Sequence, residues 1–222
     1  MSAPLLEVWR DARLDYPEAW ARMRRYTDER GPGSPDVLWL LEHPSVFTLG
    51  QAGRPEHVLD AGAIPVLQSD RGGQVTWHGP GQCVAYLMLD LKRLGLGVRE
   101  TVERIESAVI ALLAGFGITA LGRREAPGVY VEGAKIAALG LRVRRGCSYH
   151  GLSFNRSNDL SAFARINPCG YAGLPVTRLC DLAPAGADLS RGRVEALLER
   201  YLRQVFGYDA ADLCHGSEPG IP

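Results

Sequence analysis

The run from Asp70 to Tyr86, DRGGQVTWHGPGQCVAY, constrains the fold more than any other stretch. It sets four glycines, a proline, an arginine and a histidine between two apolar, strand-like segments. The glycines permit close main-chain approach, and Arg71, Thr76, His78 and Gln82 place charge and hydrogen-bonding groups beside them. Two structures fit such a composition: a tight hairpin with solvated polar tips, or a backbone surface shaped to touch another molecule.

The flanking segments narrow the architecture. Ile64 to Gln68 leads into the run and Val84 to Leu91 continues after it, both apolar enough for strands. A first helix is predicted from Pro17 through EAWARMRRYTDER, stopped at Gly31-Pro32-Gly33, and Val37 to Leu41 reads as a buried strand. Between Val98 and Phe116, Val98, Val102, Ile105, Val109, Leu112, Leu113 and Phe116 recur at spacings of three and four, the mark of an amphipathic helix. Gly128 to Val131, a turn at Glu132-Gly133 and Lys135 to Val143 predict a β-hairpin, followed by a strand from Cys147 to Asn155. Ser190 is placed to cap a last helix with Val194, Leu197, Leu198, Tyr201, Leu202 and Val205 along one face. Helices thus fall at the start, middle and end, with blocks of strands between them and no βαβ alternation. This predicts an α+β fold, a mixed or antiparallel sheet packed by helices. No linker or repeat divides the 222 residues, so one domain over residues 1–222 is expected.

Charge excludes some partners. With 25 basic and 25 acidic residues the net charge is zero, which argues against nucleic acid or an anionic membrane surface as partner. The N-terminal residues lack a basic segment followed by an unbroken apolar one, and a cytoplasmic protein is expected. The five cysteines, Cys83, Cys147, Cys169, Cys180 and Cys214, are scattered without a CxxC or a zinc-type spacing. Neither disulfides nor a metal or other cofactor is expected.

Three side chains stand out for chemistry. Lys135 alternates in register with Ala137, Leu139, Leu141 and Val143, so it is predicted to begin the apolar face of its strand. There it either snorkels to water or, held away from water, takes and returns protons. Cys169 lies in Asn167-Pro168-Cys169-Gly170-Tyr171, an irregular segment that presents the sulfur, and it is the candidate nucleophile. A thiol needs a neighbouring cation or base to act as a thiolate. Sequence alone does not bring Lys135 to Cys169. His150 alternates in phase with Leu152 and Phe154, which fits a core histidine as well as a functional one. His43 reads as a turn residue, and His57 and His215 as solvated.

Several separate motifs in one order resemble the octanoyltransferases of lipoate biosynthesis. They are LLEHPSVFTLGQAG, DRGGQVTWHGPGQ, APGVYVEGAKIAALGLRVRRG, CSYHGLSFN and RINPCGYAGL, spanning about Val37 to Tyr171, with no useful match beyond Asp181. Trp77 stands where tyrosine is common and Ser153 where alanine is common. The resemblance implies a fold similar to the catalytic domains of lipoate and biotin protein ligases. It also implies transfer of octanoyl from acyl carrier protein to a lysine on lipoyl domains of 2-oxoacid dehydrogenase complexes or on the glycine-cleavage H protein. On this resemblance Cys169 carries the acyl group and Lys135 forms a dyad with it. The substrate-contacting positions would be Arg71, Gly72, Gly73, Gln74, Val75, Thr76, Trp77 and His78, then Ala138, Leu139 and Gly140, then His150, Gly151, Leu152 and Ser153. Arg123, Arg124, Arg142, Arg144 and Arg145 either dock an acidic carrier or form a solvated strand end. The alternatives are an ATP-dependent ligase of the same fold, an amidotransferase moving octanoyl between lipoyl-bearing proteins, and a non-catalytic acyl- or carrier-binding module.

Overall fold

The computed structural model describes residues 5–208 and the backbone of 213 and 214. The first half of the chain forms β1 (Leu6–Arg10), α1 (Tyr16–Glu29), β2 (Asp36–Leu41), β3 (Val46–Leu49), β4 (Val66–Gln68), β5 (Val75–His78), β6 (Gln82–Met88), α2 (Leu91–Leu94) and α3 (Val98–Ala114). The second half forms β7 (Leu121–Gly122), β8 (Gly128–Val131), β9 (Ala134–Arg144), β10 (Cys147–Asn155), α4 (Leu179–Leu182), α5 (Arg191–Phe206) and β11 (Leu213–Cys214). Cys214 is thus described by backbone alone, and His215 lies outside the described residues.

Eight strands form a mixed sheet in the order β11-β1-β2-β6-β10-β9-β8-β7, parallel at β11-β1-β2 and antiparallel in its other pairings. The apolar stripes of α3 and α5 cover one face. Ile105, Val109 and Leu112 pack there with Val194, Leu198 and Leu202 against Leu38, Leu40, Ala85, Leu152 and Phe154. The other face receives α1, whose Ala19 and Met23 meet Val37, Trp39, Leu41, Val84 and Tyr86. Burial on both faces explains why β2 and β6 read as unbroken apolar runs. The fold is α+β, as the blocks of strands and helices predicted. Ser190 caps α5 through the Arg193 N–H, and Gly207 at φ 77° ends it.

The glycine-rich run differs from a simple loop. Its second half is strand β5, which pairs with β3 in a separate three-stranded sheet, β4-β3-β5, filled by Phe47, Leu49, Val75 and Trp77 against Phe163 and Ile166. The apolar segment after the run ends at Met88 rather than Leu91, because the Asp90 side chain accepts the Arg93 N–H and starts α2. β1 and β3 were not foreseen, each being too short to show a period.

Candidate active site

A β-bulge sets the position of Lys135. In β8–β9 the pairing steps from Val129↔Ala137 to Tyr130↔Lys135, leaving Ile136 as an extra residue. Ile136 and Ala137 both enter the helix-covered core. Lys135 is therefore not in phase with Ala137, Leu139, Leu141 and Val143, as strict alternation predicted. It lies on the opposite face, where Ala138, Ser153 and Asn155 line the same small cavity. The lysine is 3% exposed. Gly128 makes room for it, since a Cβ there would stand 2.3 Å from Lys135 Cε.

Cys169 sits in a one-turn 3₁₀ segment, Pro168–Gly170, with φ 57° and ψ 16°. A non-glycine residue in that left-handed region carries strain of roughly 1–2 kcal/mol. Cys169 and Lys135, 34 positions apart in sequence, meet in space. Lys135 Nζ donates to Cys169 Sγ at 2.8 Å and to Pro127 O at 3.0 Å, and stands 5.3 Å from the centre of the Tyr130 ring. The Lys135 main chain also grips the segment that follows the cysteine: its N–H donates to Pro175 O at 2.8 Å and its carbonyl accepts from Thr177 at 3.0 Å.

From the sulfur a cleft with about 480 Å³ of empty space, partly open to solvent, runs between the glycine-rich run, β9 and β10. Arg71, Gly73, Gln74, Val75, Thr76 and His78 form one wall, and Ala138 to Gly140 with His150 to Ser153 form the other. Gly72 and Trp77 stand outside it. Gly72 instead ties the run to β9 through its N–H on Leu141 O, and its carbonyl lies 2.8 Å from where a Cβ on Gly140 would fall. Trp77 packs into the small-sheet core, 5.5 Å from Phe163 between ring centres. Arg71 is buried, and among the described residues no carboxylate pairs with it. It staples the run instead, donating to Thr48 Oγ1, Thr48 O, Gly72 O and Gln74 O. Burial lowers its pKa, with Tyr16, Cys169 and Tyr86 acting in the opposite sense.

His150 is not in phase with Leu152 and Phe154 either. Its φ of 60° turns the ring out of the helix-covered core onto the cleft side, where it meets Tyr16, Tyr86 and Tyr149 and its Nε2 bonds Asp70 Oδ1 at 2.8 Å. Burial would raise the Asp70 carboxyl, but hydrogen bonds from His150 and Tyr149 hold it down at about 2. Burial lowers His150 despite Asp70, and lowers His78 well below its ordinary value. His43 is more than a turn residue: it is fully buried and bonded to Tyr86 Oη at 2.7 Å and to Leu14 O, and burial lowers it to about 4. His57 is half-buried rather than solvated, its ring 3.4 Å from the Asn167 side-chain amide beside the cysteine turn.

Tyr16, Val84 and Tyr86 also line the cleft and escaped sequence reasoning. A tyrosine at a helix start and two residues of an apolar strand carry no local signal for a binding wall. Of the other thiols, burial pushes Cys83 up to about 12 and also raises Cys147 and Cys180. Arg144 bridges to Asp28 at 2.9 Å and Arg145 donates to the Asp28 carbonyl, whereas Arg123 lies over the Tyr130 ring, which the Lys135 amine also approaches. Among the described residues no cluster of His, Cys, Asp or Glu could hold a metal ion, and no helix is long and apolar enough to cross a membrane.

Residues 15–203 match the lipoyl protein ligase A/B catalytic domain family. An octanoyltransferase of Alkalilimnicola ehrlichii is 62% identical over 193 residues, 84% of this chain and 90% of that protein. Among solved structures, lipoate-protein ligase A bound with ATP superposes with a TM-score of 0.74 at 15% identity, covering 93% of this chain and 86% of the other. Biotin protein ligase from Aquifex aeolicus, in complex with biotin and ATP, gives 0.58 at 10% identity over 90% and 70% of the two chains.

Proposed function

Because the chain belongs to the octanoyltransferases of the lipoyl protein ligase A/B catalytic domain family, we propose that it moves octanoyl from acyl carrier protein to a lipoyl-domain lysine. The acceptor would belong to a 2-oxoacid dehydrogenase complex or be the glycine-cleavage H protein. The observation that carries the mechanism is the 2.8 Å contact between Lys135 Nζ and Cys169 Sγ.

The Lys135 amine takes the Cys169 proton, and the thiolate attacks the carrier thioester carbonyl. As the tetrahedral adduct collapses, the phosphopantetheine thiolate leaves and receives that proton from Lys135. An octanoyl thioester remains on Cys169. In the second half, the acceptor amine attacks this thioester, Lys135 accepts the amine proton, and the Cys169 thiolate departs and is reprotonated. Two half-reactions in sequence make a ping-pong cycle, and the thioester bond supplies the free energy for amide formation without ATP. The alkyl tail lies in the cleft, where each buried methylene contributes about 0.8 kcal/mol. Burial alone then separates chains differing by two carbons by only roughly tenfold to twentyfold.

The test is intact mass after mixing with octanoyl carrier protein. The protein should gain one hydroxylamine-sensitive octanoyl group and Cys169→Ala none. An adduct on Cys169→Ala would sink the assignment, and turnover with free octanoate plus ATP would favour a ligase instead.

A further inference from the structure

Beyond Ser153, which lines the cavity at the sulfur, the cleft follows β10 to His150. Three strand residues cover about 10 Å, a span comparable with an extended octanoyl chain. On this path small residues, Ala138, Gly140 and Gly151, alternate with Leu139 and Leu152, and Val84 lines it too. Tyr16 lines the cleft beside His150. Its ring stacks on His78 with centres 5.8 Å apart, stacks on His150 at 6.4 Å, and meets His43 edge-on at 5.4 Å. The tyrosine hydroxyl pairs with Ser69 Oγ at 2.7 Å, and the residue is 2% exposed. Its main chain opens α1 with Pro17 next to it, so both ends of the side chain are fixed.

On the other side lies a second groove, with about 810 Å³ of empty space open to solvent. Pro17, Pro44, Val46, Pro65 and Leu67 give it stiff apolar walls, with Asp15 and Glu18 exposed beside them. Among the described residues, Tyr16 alone lines both the cleft and this groove.

Resting on the acyl-thioester reading above, we propose that Tyr16 is the chain-length gate of this acyltransferase. Its ring closes the cleft at the end of an eight-carbon tail. A smaller residue there joins the cleft to the proline-walled groove and admits longer saturated acyl chains. The hydroxyl positions the ring through Ser69 but is not itself the barrier.

The experiment measures Cys169 acylation rates by intact mass for a series of carrier-bound acyl groups from six to fourteen carbons. It compares the wild type with Tyr16→Leu, Tyr16→Ala and Tyr16→Phe. In Tyr16→Leu or Tyr16→Ala the dodecanoyl-to-octanoyl rate ratio should rise at least about tenfold, against a ceiling of roughly two-hundredfold for four fully buried methylenes. Tyr16→Phe should keep the wild-type cut-off. Should Tyr16→Ala fail to fold, Tyr16→Leu, which retains an apolar side chain at the helix start, carries the measurement. An unchanged chain-length profile in a variant that still takes octanoyl on Cys169 would overturn the gate and leave the parent reading intact. A shift in Tyr16→Phe as large as in Tyr16→Leu would also overturn it. No adduct on wild-type Cys169 would sink the parent reading, and the gate with it.

Discussion

Lys135 is held by one carbonyl, one sulfur and one aromatic face, with almost no access to water. Lys135→Met keeps the buried stem and removes the base. It should slow Cys169 acylation by about 10²- to 10⁴-fold, the usual worth of a positioned proton acceptor, and single-turnover mass measurements at neutral pH would show it. Gly128→Ala acts on the same residue through space, together with strain at φ 150°: the new Cβ would stand 2.3 Å from Lys135 Cε and 2.6 Å from the Ala137 carbonyl, pushing the amine from the sulfur and straining the β8–β9 pairing. A displacement near 1 Å costs roughly a hundredfold in rate, and the same assay reads it. Cys169 was legible because Pro168 and Gly170 punctuate its segment, and Lys135 because a cation stood in an apolar stretch. Their contact became an expectation only through the family resemblance, since nothing local to either residue encodes the other. Asp70 and Tyr16 were illegible as site groups because their importance arises from partners far along the chain, His150 for one and Ser69 for the other.

At the scale of elements, strict two-residue alternation failed at two positions of the site, one in the cavity at the sulfur and one in the cleft wall. The Ile136 bulge moves Lys135 to the cleft side, and the left-handed His150 moves an imidazole there. Both departures have faint traces in the sequence: the adjacent apolar pair Ile136-Ala137, and Gly151 directly after the histidine. Helical faces and element limits were read more reliably than strand faces. β10 has its expected limits, α3 begins at Val98, and α5 buries Val194, Leu197, Leu198 and Leu202 as its spacing required. Ile136 anchors the bulge in the core at zero exposure. Ile136→Ala should lower stability by about 2–5 kcal/mol, the range for truncating a buried aliphatic side chain, read as a fall in the urea midpoint.

For the molecule as a whole, the buried histidines fix how stability responds to acid. His43 stands at about 4 when folded, below its ordinary value of 6.5. As pH falls below 6.5 the unfolded chain therefore takes up a proton before the folded protein does, and stability drops between pH 6.5 and 4 while staying level above. The shift corresponds to about 3 kcal/mol. A thermal melt series from pH 7.5 to 5 should show this slope, and His43→Gln should make it shallower, with His78 and His150, also lowered by burial, supplying the rest. Asp70 acts in a separate window: held at about 2, it adds stability that is lost only below its ordinary 3.8. Charge on the outer surface bears on the proposed carrier. Arg123 shares the Tyr130 ring with Lys135, whereas Arg144 and Arg145 are tied to Asp28, so Arg123→Glu should weaken carrier use more at low salt than at high salt and more than Arg144→Glu does. Lys135 bonds the sulfur through its amine and Pro175 and Thr177 through its main chain, so release of that segment should also loosen the hold of the amine on the sulfur. Deuterium uptake at the Thr177 amide would then track the integrity of the dyad, slow while the pair is closed and fast when that short span lets go.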